Sequence, residues 1–210
     1  MEAILDLYAE APDPRRPRVC FDETTKQLVA EVRQPLPMAP GQPQRYDYEY
    51  QRNGVVNLFL LYSPDHPQGG WRKVKVTEHR TKRDFAEQMR ALVDEEFPEA
   101  AVIRVVLDNL NTHTPAALYE VFEPAEARRL VARLEFVYTP KHASWLNQAE
   151  IELAALTRQC LDRRLPDAAT LEKEVAAWEA PRNAAGTVIQ WLFRVADART
   201  KLKHLYPSLP

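Results

Sequence analysis

The stretch that most constrains this chain is V-I-R-V-V-L over residues 102–107, a nearly continuous apolar run that stops on Asp108. A short run of β-branched and apolar residues suits a strand covered on both faces, as in parallel or mixed sheets packed between helices. The pattern on either side differs. Before it, short runs at Val19–Asp22, Gln27–Val32, Val55–Tyr62 and R-K-V-K-V-T (72–77) predict an antiparallel meander. Tyr46, Tyr48 and Tyr50 alternate with acids, the period of a half-buried strand, and Asn53-Gly54 reads as a turn.

The period then lengthens. Thr81 with Asp84 forms a capping pair for a helix over 82–97 that ends at Pro98. Thr114-Pro115 and Pro124 open two more helices, Leu134–Tyr138 is a further strand, and helices are predicted at 145–162, 168–183 and 195–205. Val188–Phe193 reads as a strand-like piece. Three strands in meander followed by helix, strand, helix, strand, helix give an α/β fold. Its arrangement is ribonuclease H-like, a mixed five-stranded sheet flanked by helices. Residues 1–17, with Pro12, Pro14 and Pro17, read as a linker remnant, 18–165 as the catalytic domain, and 166–210 as a helical extension of it.

Composition narrows the function by exclusion. Two hundred and ten residues suit one domain. No apolar run reaches the ~18 residues of a membrane span, and the first residues lack a signal-peptide layout, so a cytoplasmic protein with no membrane partner is expected. Cys20 and Cys160 have no cysteine neighbours and read as buried thiols. Glycine-rich phosphate loops, a nucleophile elbow and H-E-x-x-H are absent. Lys plus Arg (28) nearly balances Asp plus Glu (30), so bulk charge does not suggest nucleic acid. A local stripe does: Arg72, Lys73, Lys75, Arg80, Lys82 and Arg83, with His79, stand against the single acid Glu78. Solvated strand and helix faces explain such a stripe equally well.

The remaining chemistry is acidic. Asp22 and Asp108 each sit where an apolar strand meets its loop, a place more commonly filled by a turn former or cap. Asp108, however, opens the polar run D-N-L-N-T-H-T, a composition that suits a metal or a phosphate. A third acid lies in T-P-K-H-A-S-W-L-N-Q-A-E-I-E-L, where Leu146, Ala149, Leu153, Leu156 and Cys160 make one apolar stripe. Glu150 and Glu152 flank that stripe on opposite sides, about 80° from its centre at about 100° per residue, so periodicity leaves both open. Asn147 shares the Glu150 flank.

Three segments carry a resemblance: V-C-F-D-E-T-T-K-Q-L (19–28), R-V-V-L-D-N-L-N-T-H-T (104–114) and Y-T-P-K-H-A-S-W-L-N-Q-A-E-I-E-L (138–153). They resemble the three acidic motifs of insertion-sequence transposases of the insertion sequence 630 branch of the mariner superfamily. The likeness extends through L-T-R-Q-C-L-D-R-R-L to the tail A-D-A-R-T-K-L-K-H-L-Y-P. It implies a catalytic Asp-Asp-Glu set at Asp22, Asp108 and Glu150, binding two Mg²⁺ ions, with Mn²⁺ able to substitute. Three acids meeting at one place repel one another unless cations fill the gap. Hydrolysis at element ends and transfer of the freed 3′-hydroxyl to target DNA would follow.

The implied partners are double-stranded DNA at element ends and target, a homodimer on paired ends, and an upstream-encoded helix-turn-helix chain, in the bacterial nucleoid. That recognition module is expected to be missing here, since Met1 stands so close to Asp22. His113, Lys141, His142, Trp145 and Asn147 are further candidates for DNA contact, against ordinary structural roles. Arg128, Arg129, Arg163 and Arg164 are read as solvated by default, and Glu152 is kept as a substitute ligand. Two alternatives stand beside the transposase: a truncated or domesticated non-catalytic remnant, and a ribonuclease H-type nuclease.

Overall fold

The computed structural model describes residues 1–206. Strands β1 (Arg18–Glu31), β2 (Tyr50–Ser63) and β3 (Trp71–Thr77) form the antiparallel meander, and β4 (Ile103–Leu107) and β5 (Leu134–Tyr138) extend the sheet in parallel. The strand order is β3-β2-β1-β4-β5. The helices are α1 (Glu2–Ala9), α2 (Lys82–Ala91), α3 (Pro115–Val121), α4 (Pro124–Val131), α5 (Gln148–Leu156), α6 (Ala168–Ala184) and α7 (Val195–Lys201). This is the ribonuclease H-like architecture.

Alternation along the strands feeds two apolar layers. Val19, Phe21, Val105 and Leu107 pack with Phe85 and Met89 of α2, Leu118 of α3 and Leu130 of α4. Cys20, Leu60, Tyr62 and Val106 face the other way, onto Leu153 and Leu156 of α5, Leu171 and Val175 of α6, and Ile4 and Leu5 of α1. Every residue of β4 is buried, as a strand covered on both faces requires. Thr81 and Asp84 make the reciprocal cap, with the Thr81 N–H donating to the Asp84 carboxylate at 2.8 Å. Cys20 and Cys160 are both free and buried.

Several expectations fail for identifiable reasons. Tyr46 and Tyr48 lie outside any named strand and are 59% and 86% exposed, because residues 32–49 form the long β1–β2 connection and no neighbour covers them. Asn53-Gly54 is a bulge within β2: the register shifts between Gln27 and Val29, and Gly54 takes φ 92°, which only glycine adopts cheaply. Val19–Asp22 and Gln27–Val32 belong to one strand that ends at Glu31. Val188–Phe193 alternates without being a strand; Ile189, Trp191 and Phe193 pack on the core, and the Ile189 N–H donates to Tyr62 Oη at 2.7 Å.

Residues 1–17 are built into the structure. Ile4 and Leu5 are 1% exposed, Tyr8 Oη donates to the Leu146 carbonyl at 2.8 Å, and the Arg15 carbonyl accepts from the Ala101 N–H at 2.7 Å. The final proline of the quoted tail motif, Pro207, lies outside the described residues. Among the described residues no helix is long and apolar enough to cross a membrane.

Candidate active site

The last registered pair of β1 and β4 is Cys20 with Val106. Asp22 and Asp108 each stand two residues further on; strand parity sends Asp22 towards the face that carries α5, and Asp108 lies just past the end of β4. Asn147 then brings the third segment in. Its Oδ1 accepts from the Ala149 N–H at 3.2 Å as the N-cap of α5, and its Nδ2 donates to the Phe21 carbonyl at 2.8 Å and lies 3.3 Å from Asp22 Oδ2. One side chain therefore both starts the helix and pins it beside Asp22. Glu150 is exposed in the first turn of α5.

The two aspartates differ in their electrostatics. Burial, with the charges of Glu150, Glu23 and Asp108, pushes the Asp22 carboxyl up to about 7, against the opposing pull of the Glu23 N–H, which donates to it at 2.8 Å. Asp108 behaves oppositely. The His113 ring, 2.6 Å from Asp108 Oδ1, holds its carboxyl below the ordinary range despite burial, helped by the Leu110 N–H at 3.2 Å. Burial alone would lower the His113 pKa, but the bond to Asp108 and the approach of Glu23 raise it to about 9, so the ring is charged at neutral pH. Its Nε2 lies 3.2 Å from a Glu23 carboxylate that is almost fully buried, and its ring packs edge-on against Phe21 at 5.1 Å. Sequence reasoning missed this partnership. Glu23 follows Asp22 but points to the opposite face of β1, and only alternation signals it.

A cleft of about 630 Å³ opens beside Asp108, lined also by Asn109, Thr139, Lys141, His142 and Ser144 among others. Its wall is fixed by bonds from Asn109 Nδ2 to the Thr139 carbonyl (3.0 Å) and from Tyr138 Oη to the His113 carbonyl (2.9 Å). His142 holds φ at 62°, a left-handed conformation uncommon outside glycine that aims the cleft-lining turn.

The sequence model of the DDE superfamily endonuclease family matches residues 17–172. The chain belongs to this family. No curated protein matches. Among solved structures, the chain resembles the Mos1 transposase paired-end complex with left transposon end, at 19% identity and TM-score 0.58, over 88% of this chain and 55% of that one. The Mos1 mariner paired-end complexes with Mn and with Mg match over the same shares at 20% identity, with TM-scores of 0.56 and 0.53. This chain thus spans about half the length of the Mos1 chains it matches, and at such identities the likeness is one of fold.

The family's name denotes an Asp-Asp-Glu set, for which Asp22, Asp108 and Glu150 are the candidates; Glu150 and Asp108 lie near enough to Asp22 for their charges to bear on it. Among the described residues no three potential ligands are already gathered at metal-binding distance. The donor set nonetheless fits a hard divalent cation. It is all carboxylate oxygen, Asp22 is raised by burial and then by its acidic neighbours, and among the described residues neither Asp22 nor Glu150 has an ion-pair partner.

The other candidates disperse. Arg72 is wholly buried, with Nε 3.1 Å from Glu152, and cannot reach DNA; Glu152, kept as a substitute ligand, is sealed in the same pair. Lys73 and Lys75 lie with α2 residues on the sheet face opposite Asp22, Lys73 being 3.9 Å from Glu96. Arg80 pairs with Glu23 at 3.3 Å and Lys82 with Glu120 at 2.6 Å, while Arg83 and Lys141 are exposed. The basic stripe therefore does not form one surface. His113 is 1% exposed and Asn147 is 1% exposed, so both act on the acids and neither offers a free surface to DNA. Trp145 is 43% exposed and meets Phe193 edge-on at 5.6 Å. Arg129, Arg163 and Arg164 are engaged in ion pairs.

Proposed function

We propose that this chain is the catalytic domain of a DNA transposase of the insertion sequence 630 branch, cutting a phosphodiester at an element end and joining the freed 3′-hydroxyl to target DNA. The observation that supports the reading is that Asp22 and Asp108 stand just beyond the last registered pair of two adjacent strands, and that Asn147 ties Asp22 to α5, whose first turn carries Glu150. Asp22, Asp108 and Glu150 would hold Mg²⁺ or Mn²⁺, two ions on the family's pattern. When bound, such ions activate the attacking oxygen and stabilise the departing one.

The protein's own groups do the rest. His113 and Glu23 fix the Asp108 carboxylate, and Asn147 fixes Asp22 relative to α5. Lys141 and His142, on the cleft wall, meet the phosphates flanking the scissile bond. Double-stranded DNA is the partner, with two copies of the chain on paired ends and a helix-turn-helix module reading the element. Residues 18–165 carry the chemistry, and the described part of the 166–210 extension braces it.

The test is incubation of the purified chain with supercoiled plasmid, and separately with an RNA–DNA hybrid, in Mg²⁺ or Mn²⁺ beside Asp108→Asn. Nicking of plasmid that disappears in the variant is the expected result. Cleavage confined to the hybrid would favour a ribonuclease H-type enzyme, and inertness a non-catalytic domain.

A further inference from the structure

Helix α5 carries Glu150 on its exposed side, and the rotation of a nine-residue helix about its own axis decides where that carboxylate points. Two positions on, about 200° round the helix, lies Glu152, which is 2% exposed. Its carboxylate is gripped from two directions. Arg72 of β3 approaches with Nε 3.1 Å from Oε2, and Arg182 of α6 donates Nη2 to both oxygens at 3.0 and 3.1 Å.

Arg72 is itself tied down. Its Nη2 donates to the Thr187 carbonyl at 2.5 Å, its N–H to Asn183 Oδ1 at 2.9 Å, and Asn183 Nδ2 returns a bond to the Arg72 carbonyl at 2.8 Å. Gly70 permits this approach: a Cβ there would lie 2.0 Å from the Thr187 carbonyl oxygen. Neither arginine is an ion-pair partner of the acidic site. Apolar packing of Leu153 and Leu156 is non-directional and tolerates rotation, whereas a carboxylate held by two guanidinium groups does not. A buried charge cluster is a poor way to gain stability, since apolar side chains of similar volume commonly do as well or better.

We propose that Glu152, held between Arg72 and Arg182, is a positioning residue that sets the rotation of α5 and so aims Glu150 at Asp22. This rests on the reading that Glu150 helps hold a divalent cation.

The test uses the full chain carrying Arg72→Met with Glu152→Leu, which removes one ion pair, keeps the volume and leaves Arg182 without its partner. Urea midpoint and Mn²⁺ affinity by calorimetry are measured beside Glu150→Gln. The expected double variant is folded, with a midpoint below that of the parent because Arg182 and the Thr187 carbonyl lose their partners, and it binds Mn²⁺ on the order of 10-fold more weakly and nicks plasmid on the order of 100-fold more slowly. A purely structural cluster would move the midpoint and leave Mn²⁺ affinity alone. Parental Mn²⁺ affinity in the folded double variant, with weakened affinity in Glu150→Gln, overturns the positioning role. Unchanged affinity in Glu150→Gln overturns instead the metal reading beneath it. Should the double variant not fold, Arg182→Lys decides: it keeps the charge and loses the two-oxygen grip, and unchanged Mn²⁺ affinity there also overturns the proposal.

Discussion

Replacing Asn147 by Ala should cost far more than a surface loop substitution, because the side chain has two separate jobs. As N-cap, its Oδ1 accepts from the Ala149 N–H at 3.2 Å, a role worth about 1 kcal/mol. Its Nδ2 donates at 2.8 Å to the Phe21 carbonyl, beside a fully buried Phe21 side chain. Stranding that acceptor costs about 1–3 kcal/mol. The joint loss is about 2–4 kcal/mol, read from urea unfolding of the metal-free chain as a lower midpoint at unchanged slope. Asn147→Ser separates the two jobs. Its hydroxyl can cap the helix but is too short to reach Phe21, so this variant should recover only about 1 kcal/mol. An Ala variant within about 0.5 kcal/mol of the parent, the usual range for inert surface changes, would refute the view that this residue fastens α5 to β1.

Further outcomes follow from the same geometry. The folded Asp22 carboxyl titrates near 7 against 3.8 ordinarily, so it holds its proton more tightly folded than unfolded. Its stabilising contribution is present below about 3.8 and is lost as pH rises to 7. Asp22→Asn should therefore gain on the parent by roughly 4 kcal/mol between pH 4 and 8 without metal, and parallel curves would contradict this. Mn²⁺ binding below pH 7 should release a proton, seen as a buffer-dependent calorimetric enthalpy that disappears in Asp22→Asn. Gly70→Ala forces a Cβ to 2.0 Å from the Thr187 carbonyl and should lower stability by about 1–3 kcal/mol in thermal or urea melts. Lys141→Gln should weaken DNA binding across all sequences and reduce the salt slope by about 1, measured by fluorescence anisotropy over a salt series.

What could be read from the sequence was what depends on near neighbours in the chain. The burial of β4, the Thr81–Asp84 cap and the Leu146, Ala149, Leu153, Leu156, Cys160 stripe each follow from a repeat or a motif a few residues long. The misreadings share a cause. Alternation at Tyr46, Tyr48 and Tyr50 meets the local condition for a strand, but a strand also needs a partner edge, and residues 32–49 have only the isolated bridges Leu36–Arg45 and Ala39–Gln42. Val188–Phe193 alternates because Ile189, Trp191 and Phe193 insert into the core from an irregular segment. The first seventeen residues read as a linker on proline content. Yet Ile4, Leu5 and Tyr8 are apolar enough to join the core beside α5, a contact that no local window contains.

The choice between Glu150 and Glu152 shows where local reading stops. The two acids flank one apolar stripe symmetrically, and no propensity separates them. The separation comes from Arg72, eighty positions earlier, and from Arg182, thirty later, which neutralise one glutamate and leave the other without an ion pair among the described residues. The basic stripe is misread for the same reason. The cluster of basic residues at 72–83 predicts a surface cation at Arg72, but strand parity turns it inward, where it pairs with Glu152. Identical carboxylates thus acquire different roles from the cations that find them. In this chain the side chain that makes Glu150 the free acid is one that sequence reading assigned to DNA.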